Sequence, residues 1–304
     1  MLPQPCFSFD VLKAQKSDGF SDEQAAYIAG SLLEGGSDTT SGILVGFIQA
    51  MMMFPEVQKK AQDLLDDVVG PERLPTLDDC AKVHYIQAIV KETIRWMPTI
   101  ITGSPHANIQ EDYYNGYRIP INSSIVNNVW YAPSYQSLPI PCTPLLTLDR
   151  TVNMDPKRNP NPRNFDPERF ANDFQTEHQS ATNKDENTRQ NWIFGAGRRL
   201  CQGMHIAERS LLMGVSRMLW GFTFERGLDE NGNVIPVDID DLVGGIAVQP
   251  RDFKIRIIPR PGRAEVIRAA WRDAEENLLH PDTKQWIQVP EGMKFTTLVA
   301  EEKS

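Results

Sequence analysis

Phe194-Gly-Ala-Gly-Arg-Arg-Leu-Cys-Gln-Gly203 places a single thiol, Cys201, in a glycine-rich turn with two arginines just before it. Sulfur binds metal as the thiolate, and its pKa falls beside cationic groups and helix N-termini. Gly197 and Gly203 can adopt φ > 0 and let backbone approach a flat ligand. Met204 to Trp220 reads as a helix whose positive end faces the sulfur, and Phe194 is placed to shield the bond from water. A lone cysteine in such a turn is otherwise inert.

A second chemistry-bearing stretch is Gly35-Gly36-Ser37-Asp38-Thr39-Thr40, in the middle of a long helical pattern. Each of the two glycines costs about 1 kcal/mol relative to alanine there. Without side chains, Gly35 and Gly36 admit a broad ligand to the backbone, with an acid and an alcohol beside it. The alternative is a plain helix kink. Glu92 and Arg95 are i, i+3 partners. Counted from Ile86 they fall at about 240° and about 180°, off the apolar stripe, which by itself predicts a solvated pair worth well under ~1 kcal/mol.

The elements that must position these groups are mostly helical. Ser21 and Gln24 form a capping box that opens a helix to about Met53, roughly 48 Å long. Pro55 starts a second helix that ends at Gly70, with Val57, Ala61, Leu64, Leu65 and Val68 on one face. A third is predicted from Leu77 to Met97, stopped by Pro98. Tyr113-Tyr-Asn-Gly-Tyr117 reads as a type I′ hairpin. Residues 151–170 read as ordered loop and 171–190 as polar and mobile. Strands are expected at Phe222–Glu225 and Phe253–Ile258, with a turn at Asn231-Gly232 between them. Ala264 to Leu278 is amphipathic, and no internal repeat is found.

The 304 residues suffice for one large or two ordinary domains. The net charge of −9 argues against a nucleic-acid partner. Cys6, Cys80, Cys142 and Cys201 lie 59 or more residues apart, which suggests neither a zinc site nor a disulfide framework. No apolar run reaches the ~18 residues of a membrane span. Met1 to Asp10 does not read as a signal peptide.

The spacing F-x-x-G-x-R-x-C-x-G resembles the haem-binding loop of the cytochrome P-450 haem-thiolate monooxygenases. Gly35-Gly36-Ser37-Asp38-Thr39 matches that family's [A/G]-G-x-[D/E]-T, Glu92-Thr-Ile-Arg95 its E-x-x-R, and Pro167-Glu-Arg-Phe170 its second arginine motif. The resemblance covers Ser21 to about Arg260. It implies a mainly α fold with small β-sheets (α+β), the cytochrome P-450 fold with its N-terminal part missing, over residues 1–262, followed by a tail, 263–304. It further implies haem b (iron protoporphyrin IX) as cofactor and Cys201 as iron ligand, with Asp38 and Thr39 relaying protons to the dioxygen being reduced. Glu92, Arg95 and Arg169 are then a buried structural network rather than a solvated pair. Arg199 and, as in a fungal subset, His106 bind haem propionates, although His106 alone reads as a surface histidine. Ile100, Ile101, Val243 and Ile246 correspond to substrate-cavity positions and imply a small apolar organic substrate, though they equally suit plain core.

Electrons are expected from an NADPH-dependent flavoprotein reductase, because no flavin or dinucleotide motif is present. The implied context is fungal secondary metabolism. Full-length relatives reside in the endoplasmic reticulum membrane, facing the cytosol, through an N-terminal anchor that belongs to the missing part. Two rivals stand beside the monooxygenase: a haem-thiolate isomerase or dehydratase, and a truncated, non-catalytic fragment.

Tyr131 to Arg150 has no counterpart in the family. Pro133, Pro139, Pro141 and Pro144 exclude a helix or central strand there. Trp-Tyr-Ala must be encoded with a GTAYG donor, and Leu146-Thr147 and Asp149-Arg150 permit a branch point and an acceptor. Excision restores Trp-Thr-Val in frame, so the segment reads as a retained intron.

Overall fold

The computed structural model describes residues 7–129, 152–185, 188–190, 192–245, 247–284 and 287. Tyr131–Arg150 and Ile246 therefore lie outside the described residues. The chain divides into two units, residues 1–37 with 265–304, and residues 38–264.

Helix α1 (Phe7–Asp18) was not anticipated by the sequence reading, and α2 (Asp22–Met53) follows it. The Ser21 and Gln24 side chains exchange hydrogen bonds with each other's backbone N–H, which opens α2 as expected. Helix α2 is unbroken at Gly35 and Gly36. At Phe54 the chain bends by 104° into α3 (Pro55–Val69), which has Pro at its start and ends at Gly70, φ +71°.

The third predicted helix is two. Thr76 and Asp79 make a capping box for α4 (Leu77–Lys82), the chain breaks at Val83 with ψ 81°, and α5 (His84–Trp96) begins. The break lets both segments pack on α7 (Met204–Gly221). Cys80 on α4 meets Ser216 of α7 at 3.0 Å, Sγ to Oγ. Ten of the 13 α5 residues are buried, so this short helix is the centre of its unit.

The described residues form four two-stranded antiparallel sheets beside the helices. Strands β1 (His106–Ala107) and β4 (Ser124–Ile125) pair, as do β2 (Asp112–Tyr114) and β3 (Tyr117–Ile119). Asn115 and Gly116, at φ 50° and 82°, form the turn between β2 and β3 that Asn-Gly predicts. Strand β5 (Phe222–Arg226) pairs with β8 (Ile255–Pro259), and β6 (Leu242–Val243) with β7 (Gln249–Pro250). Gln58 of α3 takes the place of a further strand beside β5. Its Oε1 accepts from Phe224 N–H at 2.7 Å, and its Nε2 donates to Phe224 C=O at 3.1 Å. One turn later Gln62 donates to Phe222 C=O at 3.0 Å. Those edge groups would otherwise be buried without partners.

Residues 151–170, read as ordered loop, carry two 3-10 turns at Val152–Met154 and Pro167–Phe170. The expectation of mobility over 171–190 is corrected by α6 (Glu177–Thr182). Its capping box, Thr176 with Gln179, is an S/T-x-x-Q signal that polarity masked, and Glu177, Ser180 and Ala181 are buried. Helix α8 (Arg263–Asn277) occupies the amphipathic tail segment. Among the described residues no single helix is long and apolar enough to cross a bilayer.

Candidate functional site

Cys201 is exposed, three residues ahead of α7. Its N–H donates to the Phe194 carbonyl at 2.8 Å, closing the turn. Gly197 takes φ +58° as expected, but Gly203 does not. It caps α7 at φ −84°, ψ 3°, and a Cβ there would lie 4.0 Å from Cys201 Sγ. The second left-handed glycine is Gly195, φ +78°, where a Cβ would come 3.3 Å from the Arg199 carbonyl oxygen. Motif spacing had not singled it out. Phe194 is half-buried.

Arg198 and Arg199 are exposed on the 3-10 turn Gly197–Arg199. With Ala196, Gly197, Pro105, His106 and Ala107 they line a cleft of about 550 Å³. His106 and Arg199, 93 positions apart in the sequence, thus face one space, and Arg198 joins them there. Cationic and imidazole donors lining one cleft suit carboxylates, and the same turn carries the Cys201 thiol two residues after Arg199. A negatively charged, flat, iron-bearing group fits these residues.

On α2, Asp38 is exposed and Thr39 half-buried. A Cβ at either Gly35 or Gly36 would meet nothing within 4 Å, so both leave open space over the helix. Gly42, one turn after Asp38 and Thr39, lies hard against Thr99. A Cβ there would fall 2.8 Å from Thr99 Cγ2 and 3.6 Å from the Val248 carbonyl oxygen. The Thr99 carbonyl in turn accepts from Val248 N–H at 2.7 Å. The acid–alcohol pair therefore stands one turn from the junction of the Thr99–Ile101 segment with the β6–β7 hairpin. Ile101 there is 7 % exposed, Ile100 half-buried and Val243 39 % exposed.

Glu92 is fully buried, which overturns the solvated-face expectation from helical angles. The reason is that α5 is enclosed on every side, its second face by the 153–170 loop. Arg95 forks onto Glu92 at 2.6 and 2.8 Å and donates onward to the carbonyls of Asn153 and Pro162. Arg169 reaches Glu92 Oε1 at 3.4 Å, and Asp166 N–H donates to the same oxygen at 2.8 Å. Burial pushes the Glu92 carboxyl up from its ordinary value, and Arg95, the Asp166 N–H and Arg169 oppose it.

Residues 6–134 and 144–256 match the cytochrome P450 family model. Similar relatives include cytochrome P450 monooxygenase virE of Hypocrea virens, 45% identical over 96% of this chain and 49% of its own. Cytochrome P450 monooxygenase fsoB of Humicola fuscoatra is 43% identical over 97% and 50%. The chain spans about half the length of the curated relatives it matches. A zebra fish cytochrome P450 solved with progesterone shares the fold, with a TM-score of 0.60 and 24% identity, over 79% of this chain and 47% of that one. The fold is thus the α+β architecture of those enzymes, and membership implies a haem cofactor. The chain belongs to the cytochrome P450 family.

Proposed function

We propose that this chain is the haem-binding portion of a monooxygenase that inserts one oxygen atom from dioxygen into an apolar organic secondary metabolite. The electrons come from NADPH through a flavoprotein reductase, and the cofactor is haem b. The observation that carries this reading is an exposed thiol on a glycine-built turn at the head of α7, a turn whose Arg198 and Arg199 line a cleft with His106. The monooxygenase names of relatives at 43–45% identity support it.

When bound, the haem supplies dioxygen reduction and oxygen transfer, driven by electron density from a thiolate. Cys201, on the turn that leads into α7, would hold the iron through Sγ. Arg199 and His106, which line one cleft, would hold the haem carboxylates. Gly35 and Gly36, where a Cβ would meet nothing within 4 Å, would admit a broad ligand to the backbone of α2. Thr39 Oγ1, with the Asp38 carboxyl one residue before it, would relay protons to dioxygen being reduced at the bound haem. Ile100, Ile101 and Val243 would supply apolar surface to the substrate, and Ile246 joins them by motif correspondence alone. Glu92, Arg95 and Arg169 hold the core beneath.

The test is a carbon-monoxide difference spectrum of the haem-loaded complete protein and its Cys201→Ser variant. The family's characteristic thiolate band is expected in the first and absent in the second; its persistence in Cys201→Ser defeats the reading. Thr39→Ala separates the isomerase or dehydratase alternative, because it should uncouple dioxygen use from product in a monooxygenase and leave an isomerase unchanged. Failure of the chain to take up haem by itself marks a non-catalytic fragment.

A further inference from the structure

Arg189 lies outside every motif that defines the site, yet it is only 7 % exposed and its guanidinium points into the Cys201 turn. Its Nη2 donates to the Gly195 carbonyl at 2.5 Å, while its Cζ stacks 4.0 Å over the Trp192 ring. Arg158 Nη2 donates to the Arg189 carbonyl at 2.5 Å, holding the strut from behind.

The two peptide planes that flank Gly195 are therefore both pinned. In the first, the Phe194 carbonyl accepts from Cys201 N–H at 2.8 Å, and Gly195 N–H donates to the Trp192 carbonyl at 3.1 Å. In the second, the Gly195 carbonyl is held by Arg189. Gly195 φ and ψ are the only soft torsions between these planes. Its left-handed φ of +78° is thus set by Arg189 on one side and by the Cys201 and Trp192 contacts on the other. Releasing the second plane leaves the first held only by the Cys201 and Trp192 bonds, which loosens the carbonyl that fixes Cys201.

We propose that Arg189 is a positioning residue for the metal-binding thiol, acting through Gly195 and Phe194 on the Cys201 backbone. The proposal rests on Cys201 being the iron ligand. Arg suits the role because a planar guanidinium stacks and donates at once, which lysine's ammonium does not. Partners behind a metal ligand typically matter by about 10–100-fold in affinity.

The experiment uses the complete haem protein with Arg189→Met, Arg189→Lys and Cys201→Ser. Haem retention and the share of bound haem giving the thiolate carbon-monoxide band are measured at matched helix content. Arg189→Met should retain haem roughly tenfold more weakly, with a reduced thiolate share. Arg189→Lys, which keeps a donor for Gly195, should recover part of both. A wild-type band and retention in Arg189→Met, beside a Cys201→Ser that loses the band, overturns the positioning role alone. A band that survives Cys201→Ser removes the reading beneath it. Should Arg189→Met not fold, Arg158→Met is read in the same way, a reduced thiolate share supporting the proposal and an unchanged one overturning it.

Discussion

Gly46 of α2 lies so close to Met97 that a Cβ on the glycine would fall 2.6 Å from Met97 Cγ and 2.8 Å from Met97 Cβ. Gly42, one turn earlier, makes the matching approach to Thr99. The second half of α2 thus crosses the segment after α5 at glycine-contact distance. The atoms met lie near the Met97 backbone, so they cannot swing aside as a chain end would. Gly46→Ala should therefore destabilise by about 1 to 3 kcal/mol through overpacking, despite alanine's better helix propensity. A lower urea midpoint at unchanged slope checks this.

Glu92 is fully buried and its carboxyl is shared by two arginines. Glu92→Gln keeps the shape and strands both cations, so a loss of about 3 to 5 kcal/mol is expected. Arg169→Met should lose less, since its bond is 3.4 Å long and its side chain 11 % exposed. Equal midpoints for the two variants in denaturant would contradict the ordering.

The helices and turns with local chemistry were legible in the sequence: the Ser21 capping box, the Pro55 start, the Asn115-Gly116 hairpin. What escaped depends on tertiary neighbours. Helical angles put Glu92 and Arg95 off the apolar stripe, and they are buried because a loop covers that face too. Gly42 and Gly46 carried a G-x-x-x-G spacing that only the Met97 and Thr99 contacts explain. Val83 breaks a helical pattern without proline or glycine, because α4 and α5 each gain more by packing on α7 than a straight helix would. At the site, the thiol turn was legible from residue types, whereas Gly195 and Arg189 act through backbone geometry that spacing does not encode.

The Arg73 guanidinium, then the Thr76 hydroxyl and N–H, hold the Asp79 carboxyl well below the usual carboxylate range. An acid whose folded pKa is depressed contributes stability that is complete above its unfolded pKa and is lost as pH falls towards the folded one. Stability should therefore decline as pH drops below about 4, and Asp79→Asn should flatten that part of the profile. Thermal midpoints of both proteins between about pH 7 and about pH 3 test the slope. Thr76→Ala, which removes the cap alone, should cost about 1 kcal/mol at neutral pH.

The family match breaks between residues 134 and 144, inside the proline-rich stretch 131–150. Only residues 135–143 are outside the match, and 131–134 and 144–150 are within it, so the retained-intron reading of the whole stretch is a proposal for peptide mapping to decide. Peptide mapping of the protein from its native source should recover a Trp130–Thr151 junction peptide. Abundant peptides from within 131–150 would show the segment to be part of the mature chain.

Gly36 offers the opposite case to Gly46. It is interior to α2, yet a Cβ there meets nothing within 4 Å. In the haem-free chain Gly36→Ala should therefore stabilise, by about 0.5 to 1 kcal/mol, as helix propensity dictates. If the open side of the helix is where the ring and the substrate lie, the same methyl should weaken haem or substrate binding in the loaded protein. Opposite signs from one methyl separate a glycine kept for ligand access from one kept for chain flexibility. A Gly36→Ala protein that is more stable without haem and unchanged in binding with it would mean that neither ligand approaches this turn.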